Sequence, residues 1–266
     1  MSVAFLIIDA QYDFCHPEGA LFVPGADADI LRINALIKAA GHRIDQLFFT
    51  LDTHQVLDIS HPGFWKDAEG FAPTPFTVIT ADMIEQRKWI PRFYPEQVIQ
   101  YLETLSSHGE FNHLIWPEHC LTGSKGAALV ESLLEVARNW SIESQRNYTT
   151  VIKGTNPMTE HFGVFQAQVP LHDAPETQLN TRLLQQLEVF DTLLIAGEAR
   201  SHCVATSLKQ LIIHRPQMAE RIILLEDAMS DVTGLGYLAS PIYNNACEKG
   251  VRFMTCQKAV ELLLES

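Results

Sequence analysis

Short apolar runs and stretches of helical periodicity alternate along most of the chain. VAFLIID (3–9) is followed by ADILRINALIKAAG (28–41), in which apolar residues return every three to four positions, and then by DQLFFTLD (45–52). A strand covered on both faces reads as a continuous apolar run and a surface helix as a 3.6-residue period, so this opening predicts a βαβ unit. The alternation resumes with HLIWP (113–117), KGAALVESLLEVARNW (125–140), TTVIKG (149–154), TRLLQQLEVF (181–190) and DTLLIAGE (191–198). HCVATSLKQLIIH (202–214), RIILLED (221–227), PIYNNACEKG (241–250), VRFMT (251–255) and CQKAVELLLES (256–266) complete it. Together these segments predict an α/β fold: a doubly wound, mostly parallel six-stranded sheet with helices on both faces.

From about 62 to 112 the rhythm breaks into aromatic and proline-rich sequence (HPGFWKDAEGFAPTPF, KWIPRFYPEQ), with one short helix expected at 95–107. Its apolar residues are too scattered for a core of their own. Residues 1–266 are therefore expected to form a single domain that carries 62–112 as an insertion, either a lid or an interface, which leaves a homo-oligomer open. The hydrophobic share, 47% of 266 residues, suffices for a sizeable core. A formal net charge of −13 repels phosphate backbones and argues against nucleic-acid partners. The opening MSVAFLIIDAQYDF has no basic segment ahead of its short apolar run, and no stretch reaches the roughly 18 apolar residues of a membrane span. Five cysteines (Cys15, Cys120, Cys203, Cys247, Cys256) with no CxxC pair predict free thiols in a reducing, cytoplasmic setting.

In a doubly wound sheet, ligands sit beyond the carboxyl ends of the strands, so residues placed there carry the most functional weight. Asp9, Asp52, Lys153 and Glu198 all close apolar runs. Cys203, in LLIAGEARSHCVATSL, falls where a strand gives way to a helix. In the first helical turn, unpaired N–H groups and the macrodipole favour a thiolate, and the N–H groups of Ala199 and Cys203 would form an oxyanion hole. Any one cysteine is by default a small buried hydrophobe, and any one strand-end acid a cap. An acid, a lysine and a thiol at three strand ends make a group. His202 beside the thiol is a weak candidate base, since neighbours on a helix point about 100° apart. A second constellation is LDTHQVLDISHPGFW, where Asp52 and His54 alternate and project to one side, with His119 in WPEHC. One carboxylate and two imidazoles suit one divalent metal ion, zinc first, with iron or manganese as alternatives. His61 is left open as a further ligand. GLGYLA (234–239) is a poor dinucleotide fingerprint because it does not follow the first strand.

These residues resemble, in order, the isochorismatase-like cysteine hydrolases and, among them, the nicotinamidases (pyrazinamidases): LIIDAQYDFC with Asp9, TLDTH with Asp52 and His54, WPEHCLTGS with His119, VIKG with Lys153 and GEARSHCV with Cys203. The resemblance implies that Cys203 attacks a small-molecule carboxamide, that Asp9 accepts and returns the proton, and that Lys153 steadies both charges. It also implies a cis peptide at Glu198–Ala199, a thioester intermediate, a metal on the pyridine nitrogen, and Phe14 and Trp116 against the ring. The expected reaction is nicotinamide to nicotinate and ammonia, in the service of NAD salvage; the alternative is another small amide. The sequence departs from the family pattern at Arg200-Ser201-His202, where an acid two residues before the nucleophile is usual, and at Phe162-Gly163, where Tyr-Ser is usual. Both departures bear on substrate choice.

Overall fold

The computed structural model describes residues 1–265. Six strands form one sheet: β1 (Val3–Ile8), β2 (Gln46–Asp52), β3 (Thr149–Lys153), β4 (Thr192–Gly197), β5 (Ile222–Leu225) and β6 (Arg252–Met254). All neighbours are parallel, in the order β3-β2-β1-β4-β5-β6. Chain order reverses direction between β1 and β4, and that reversal opens a crevice at their carboxyl ends. Every residue of β1 and β4 is buried, which is why both read as unbroken apolar runs. Each large side chain buried there contributes about 1.5–3 kcal/mol. β3 lies at the edge and alternates instead, with Ile152 exposed and Lys153 buried.

Seven longer helices connect and cover the strands: α1 (Ala26–Ala40), α2 (Pro95–Ser107), α3 (Glu131–Ser144), α4 (Thr181–Glu188), α5 (Ala205–His214), α6 (Ser240–Glu248) and α7 (Cys256–Glu265). α1 packs against α3 and α7, and α5 against α6. Asp27 and Asp29 stand in the first turn of α1 and Lys38 in its last, each matched to the macrodipole.

Three sequence expectations need correction. HLIWP is not a sheet strand: Ile79 N–H donates to His113 O (3.0 Å), Ile115 N–H to Thr77 O (2.9 Å) and Trp116 N–H to Ser60 O (2.8 Å). A short run ending at Pro117 thus docks the insertion onto the body. The helix expected from 125 begins only at Glu131, because 126–130 forms a turn and one antiparallel bridge, Leu129 with Gln11, beside residues 10–13, with Tyr12 N–H on Ala128 O and Val130 N–H on Ala10 O. A Cβ on Gly126 would fall 1.9 Å from the Asp13 carboxylate, so this close approach depends on glycine. The insertion, finally, gathers a core after all: Phe64, Trp65, Ile79, Ile84, Val98, Tyr101, Leu102 and Leu105 pack with Ile59, Ile115 and Val169. Its apolar residues are scattered in sequence but meet in space.

Candidate active site

The carboxyl ends of β1, β2, β3 and β4 converge on one buried cluster. Asp52 and Lys153 are register partners on β2 and β3, and Ile8 and Gly197 on β1 and β4. A Cβ on Gly197 would meet Ile8 O at 2.0 Å, so glycine lets the turn after β4 cross over the end of β1. Asp9 takes a left-handed conformation there (φ 45°), rare for a non-glycine residue and kept only where the surroundings dictate it. Its N–H donates to Thr50 Oγ1 (2.9 Å), and the Thr50 hydroxyl donates back to Asp9 Oδ1 (2.5 Å).

Lys153 Nζ, buried, lies 3.0 Å from Asp9 Oδ2, 3.0 Å from Asp52 Oδ1 and 3.8 Å from Cys203 Sγ, and donates to His161 O at 2.8 Å. Burial alone would lower its pKa, but Asp52 and Asp9 carry it well above the ordinary lysine value. Burial raises the Asp9 carboxyl, against the pull of Lys153. Burial also works on Asp52, yet Lys153 and His54 hold it well below the usual range. Two carboxylates with opposite tendencies beside one ammonium are the environment in which one acts as a proton acceptor and the other stays charged.

Cys203 lies in a π-helical turn, Arg200–Val204, ahead of α5, a geometry common at functional sites. The expected thiolate is corrected here. Burial pushes the Cys203 thiol well up, and the charges of Asp9 and Asp52 and its hydrogen bond with Asp9 add to that against the single opposing effect of Lys153. The thiol is held neutral and needs a base. The Glu198–Ala199 peptide is cis. The N–H groups on either side of Ala199 are taken, Glu198 by Ile8 O and Arg200 by Ser230 O (both 2.8 Å), while among the described residues the Ala199 N–H has no protein acceptor.

The second constellation stands across Asp52. His54, His61 and His119, all buried, each offer a ring nitrogen, and these atoms lie within 4.8 Å of one another. Asp52 Oδ2 is 3.1 Å from His54 Nε2 and 3.9 Å from His119 Nε2. Every Nδ1 has an acceptor: Asp58 Oδ2 for His54 (3.0 Å), Gln55 O for His61 (3.1 Å) and Pro117 O for His119 (2.8 Å). An Nδ1–H bound in this way orients Nε2 toward a metal, although here His61 Nε2 lies 3.2 Å from His119 Nδ1 and His54 Nε2 3.1 Å from Asp52 Oδ2, contacts that a bound ion would replace. Burial, then the neighbouring His54, lowers His61 to about 4 and His119 well below its usual value, so both are neutral, as ligands must be. Burial would lower His54 too, but Asp52 and Asp58 carry it well above its usual value, so it would become a ligand by releasing a proton. The donor set fits a borderline divalent ion, with His61 inside it. Among the described residues, Asp58 is a partner that sequence reasoning missed. Its only signal is DISH, where Asp58 Oδ1 accepts Ser60 N–H at 3.0 Å and bends the loop so that His61 faces inward.

Phe14, Asp52, Trp116, His119, Glu160, Phe162, Ala199, His202, Cys203 and Val232 are among the residues lining one narrow pocket. Thiol, donor turn, Asp52, His119 and aromatic walls therefore share one space. Phe14 meets the His119 ring edge-on at 5.3 Å, and His202 stands 5.2 Å from Trp116 and Phe162. Burial lowers His202 to about 4, and its Nδ1 is bonded to Ser201 Oγ, which leaves it a neutral wall rather than a base. Glu160, raised by burial to about 7, also lines the pocket and gave no sequence signal.

No family model matches this chain, and neither does any curated protein. Solved structures do. A nicotinamidase/pyrazinamidase from Acinetobacter baumanii superimposes with a TM-score of 0.65 at 20% identity, covering 97% of this chain and 98% of that one. The fold is that of the isochorismatase-like hydrolases. A pyrazinamidase from Pyrococcus horikoshii solved in complex with zinc (TM-score 0.56, 18% identity, 96% and 99% covered) and an isochorismatase-like hydrolase from Alkaliphilus metalliredigens (0.54, 15%, 98% and 99%) share it. Each of these alignments spans nearly the whole of both chains.

Proposed function

We propose that this chain is an amidohydrolase that converts nicotinamide to nicotinate and ammonia through a thioester on Cys203. The observation that carries the reading is one pocket lined by Cys203, Ala199, Asp52 and His119 together, with Asp9 hydrogen-bonded to the thiol, Lys153 3.8 Å from it, and His54 and His61 clustered with His119. Asp9 takes the thiol proton as sulfur bonds to the amide carbon, and Lys153 balances the Asp9 charge before the transfer and the thiolate character of the attacking sulfur during it. The carbonyl oxygen, negative in the tetrahedral intermediate, is met by the N–H groups of Ala199 and Cys203. The C–N bond then breaks, and the proton held by Asp9 leaves with the amine as ammonia. A water attacks the thioester, giving one proton to Asp9 that returns to sulfur as the C–S bond breaks, and the nicotinic acid loses its remaining proton to ammonia or solvent as nicotinate departs.

Asp52, His54, His61 and His119 would hold one divalent ion, which supplies a Lewis-acid contact for a ring nitrogen. Phe14 and Trp116 pack on the ring and fix its plane. A second reading, the same apparatus on another small amide, is favoured by His202 and Phe162 in the wall, where the sequence departs from the family pattern. Ammonia release from nicotinamide, pyrazinamide and a panel of aliphatic amides separates the two. Turnover confined to the ring amides and abolished in Cys203→Ala is expected; turnover of aliphatic amides alone would favour the second reading.

A further inference from the structure

Behind the donor turn lies a second pair of buried carboxyl groups that the proposed reaction does not use. Glu198, the residue before Ala199, is fully buried, and Asp29 in the first turn of α1 is 3% exposed. The two lie within hydrogen-bonding reach of each other. Glu198 Oε2 accepts the Ser230 N–H at 3.1 Å, and the Ser230 hydroxyl donates to Asp29 Oδ2 at 2.5 Å. The same loop is bonded to the turn on both sides of Ala199: Gly197 N–H donates to Ala228 O (3.0 Å) and Arg200 N–H to Ser230 O (2.8 Å). Glu198 thus ties the turn to the loop 228–230 and, through Ser230 and Asp29, to α1.

We propose that Glu198 acts as a protonated carboxylic acid, a positioning residue that holds the Ala199 N–H at its place in the donor turn. Two adjacent buried carboxyls cannot both ionise cheaply, and the cations decide which one does. Arg32 Nη1 lies 3.0 Å from Asp29 Oδ1, and Arg200 Nη1 lies 3.1 Å from Asp231 Oδ2 and stacks over Tyr243. Burial raises Asp29 as well, but the Ser230 hydroxyl and the Arg32 cation favour its charge, whereas among the described residues Glu198 has no cation against it, so the proton of the pair falls to Glu198. Its Oε1 meets no other protein donor among the described residues. Burial first, and the Asp29 charge second, push the Glu198 carboxyl well above the carboxylate range. The other groups facing the pair do not reverse this: Asp27 and Asp227 are acidic, and burial keeps the Cys15 and Cys256 thiols and the Tyr243 phenol neutral.

This inference rests on the amidohydrolase reading, and two readouts keep them apart. With nicotinamide as the probe, Glu198→Gln, which keeps the neutral donor, is expected to stay within about 3-fold of the wild-type kcat. Glu198→Ala should lose about 10- to 100-fold in kcat with KM nearly unchanged, part of the loss seen when an oxyanion donor is removed outright. Wild-type kcat should fall on an alkaline limb that Glu198→Gln lacks. Equal losses in Gln and Ala variants with matched thermal unfolding, or an Ala variant as fast as wild type, would overturn the proposal. Infrared difference spectra of wild type against Glu198→Gln read the proton without turnover: a carboxylic-acid carbonyl band at neutral pH is expected, and its absence overturns the proposal even if no amide is hydrolysed.

Discussion

The two halves of the pocket are built by opposite means. The thiol half is set by regular structure: Asp9 and Lys153 close adjacent regions of one parallel sheet, and Cys203 sits on the turn that leaves its central strand. The histidine half is set by loops: His54 follows β2, while His61 and His119 arrive from irregular segments held by Asp58 and by bonds such as Trp116 N–H to Ser60 O. Asp52 joins them, one oxygen on Lys153 and the other on His54. On the proposed function, the difference teaches that reaction chemistry is anchored in the sheet, whereas recognition chemistry depends on loops braced by the insertion core.

The comparison breaks most sharply at the thiol. Cys203→Ala should cost at least about 10⁴-fold in kcat, as removal of a nucleophile does elsewhere, while metal content measured by elemental analysis stays at the wild-type level. Next comes the link between the halves. Lys153→Met leaves Asp9 and Asp52 buried without their cation, and should cost about 3–5 kcal/mol in urea denaturation as well as activity. A smaller effect separates the halves: His54→Ala and His119→Ala should lose bound metal and about 10²-fold in kcat/KM for nicotinamide, yet change hydrolysis of benzamide, which lacks the ring nitrogen, by only a few fold. Asp58→Asn should weaken metal affinity by about 10- to 100-fold, the usual effect of an outer-shell partner.

The smallest effect concerns pH. His113, buried and bonded through Nε2 to Ile59 O, is lowered from 6.5 to about 4, burial being the cause. Such a group is neutral in the fold and takes up a proton more readily when unfolded. Its stabilisation is complete above about pH 6.5 and is lost as pH falls toward 4. Denaturation midpoints should drop across that window, and His113→Gln, which keeps an N–H for Ile59 O, should flatten the drop by an amount on the order of 1–3 kcal/mol.

What was legible in the sequence follows the same division. β1, β2 and β4 were visible because burial on both faces leaves continuous apolar runs, and Asp9, Asp52 and Lys153 stood out as charges at the ends of strand runs. His61 stayed undecided because no periodicity fixes a loop; its inward turn is made by Asp58 and Ser60. The thiolate expectation failed because helix-terminus reasoning counts local dipoles, while the Cys203 thiol is governed by burial and by carboxyls from other strands. The insertion core was hidden because Phe64, Ile84, Leu105 and Val169 are distant in sequence and carry no shared period.

The central claim is covalent chemistry at Cys203, and acid quenching during steady turnover of nicotinamide, followed by peptide mass mapping, tests it most directly. A nicotinoyl group on the Cys203 peptide, absent when nicotinate replaces nicotinamide, is the expected result. Sustained ammonia release by Cys203→Ala, with no acyl group on any wild-type cysteine, would contradict it.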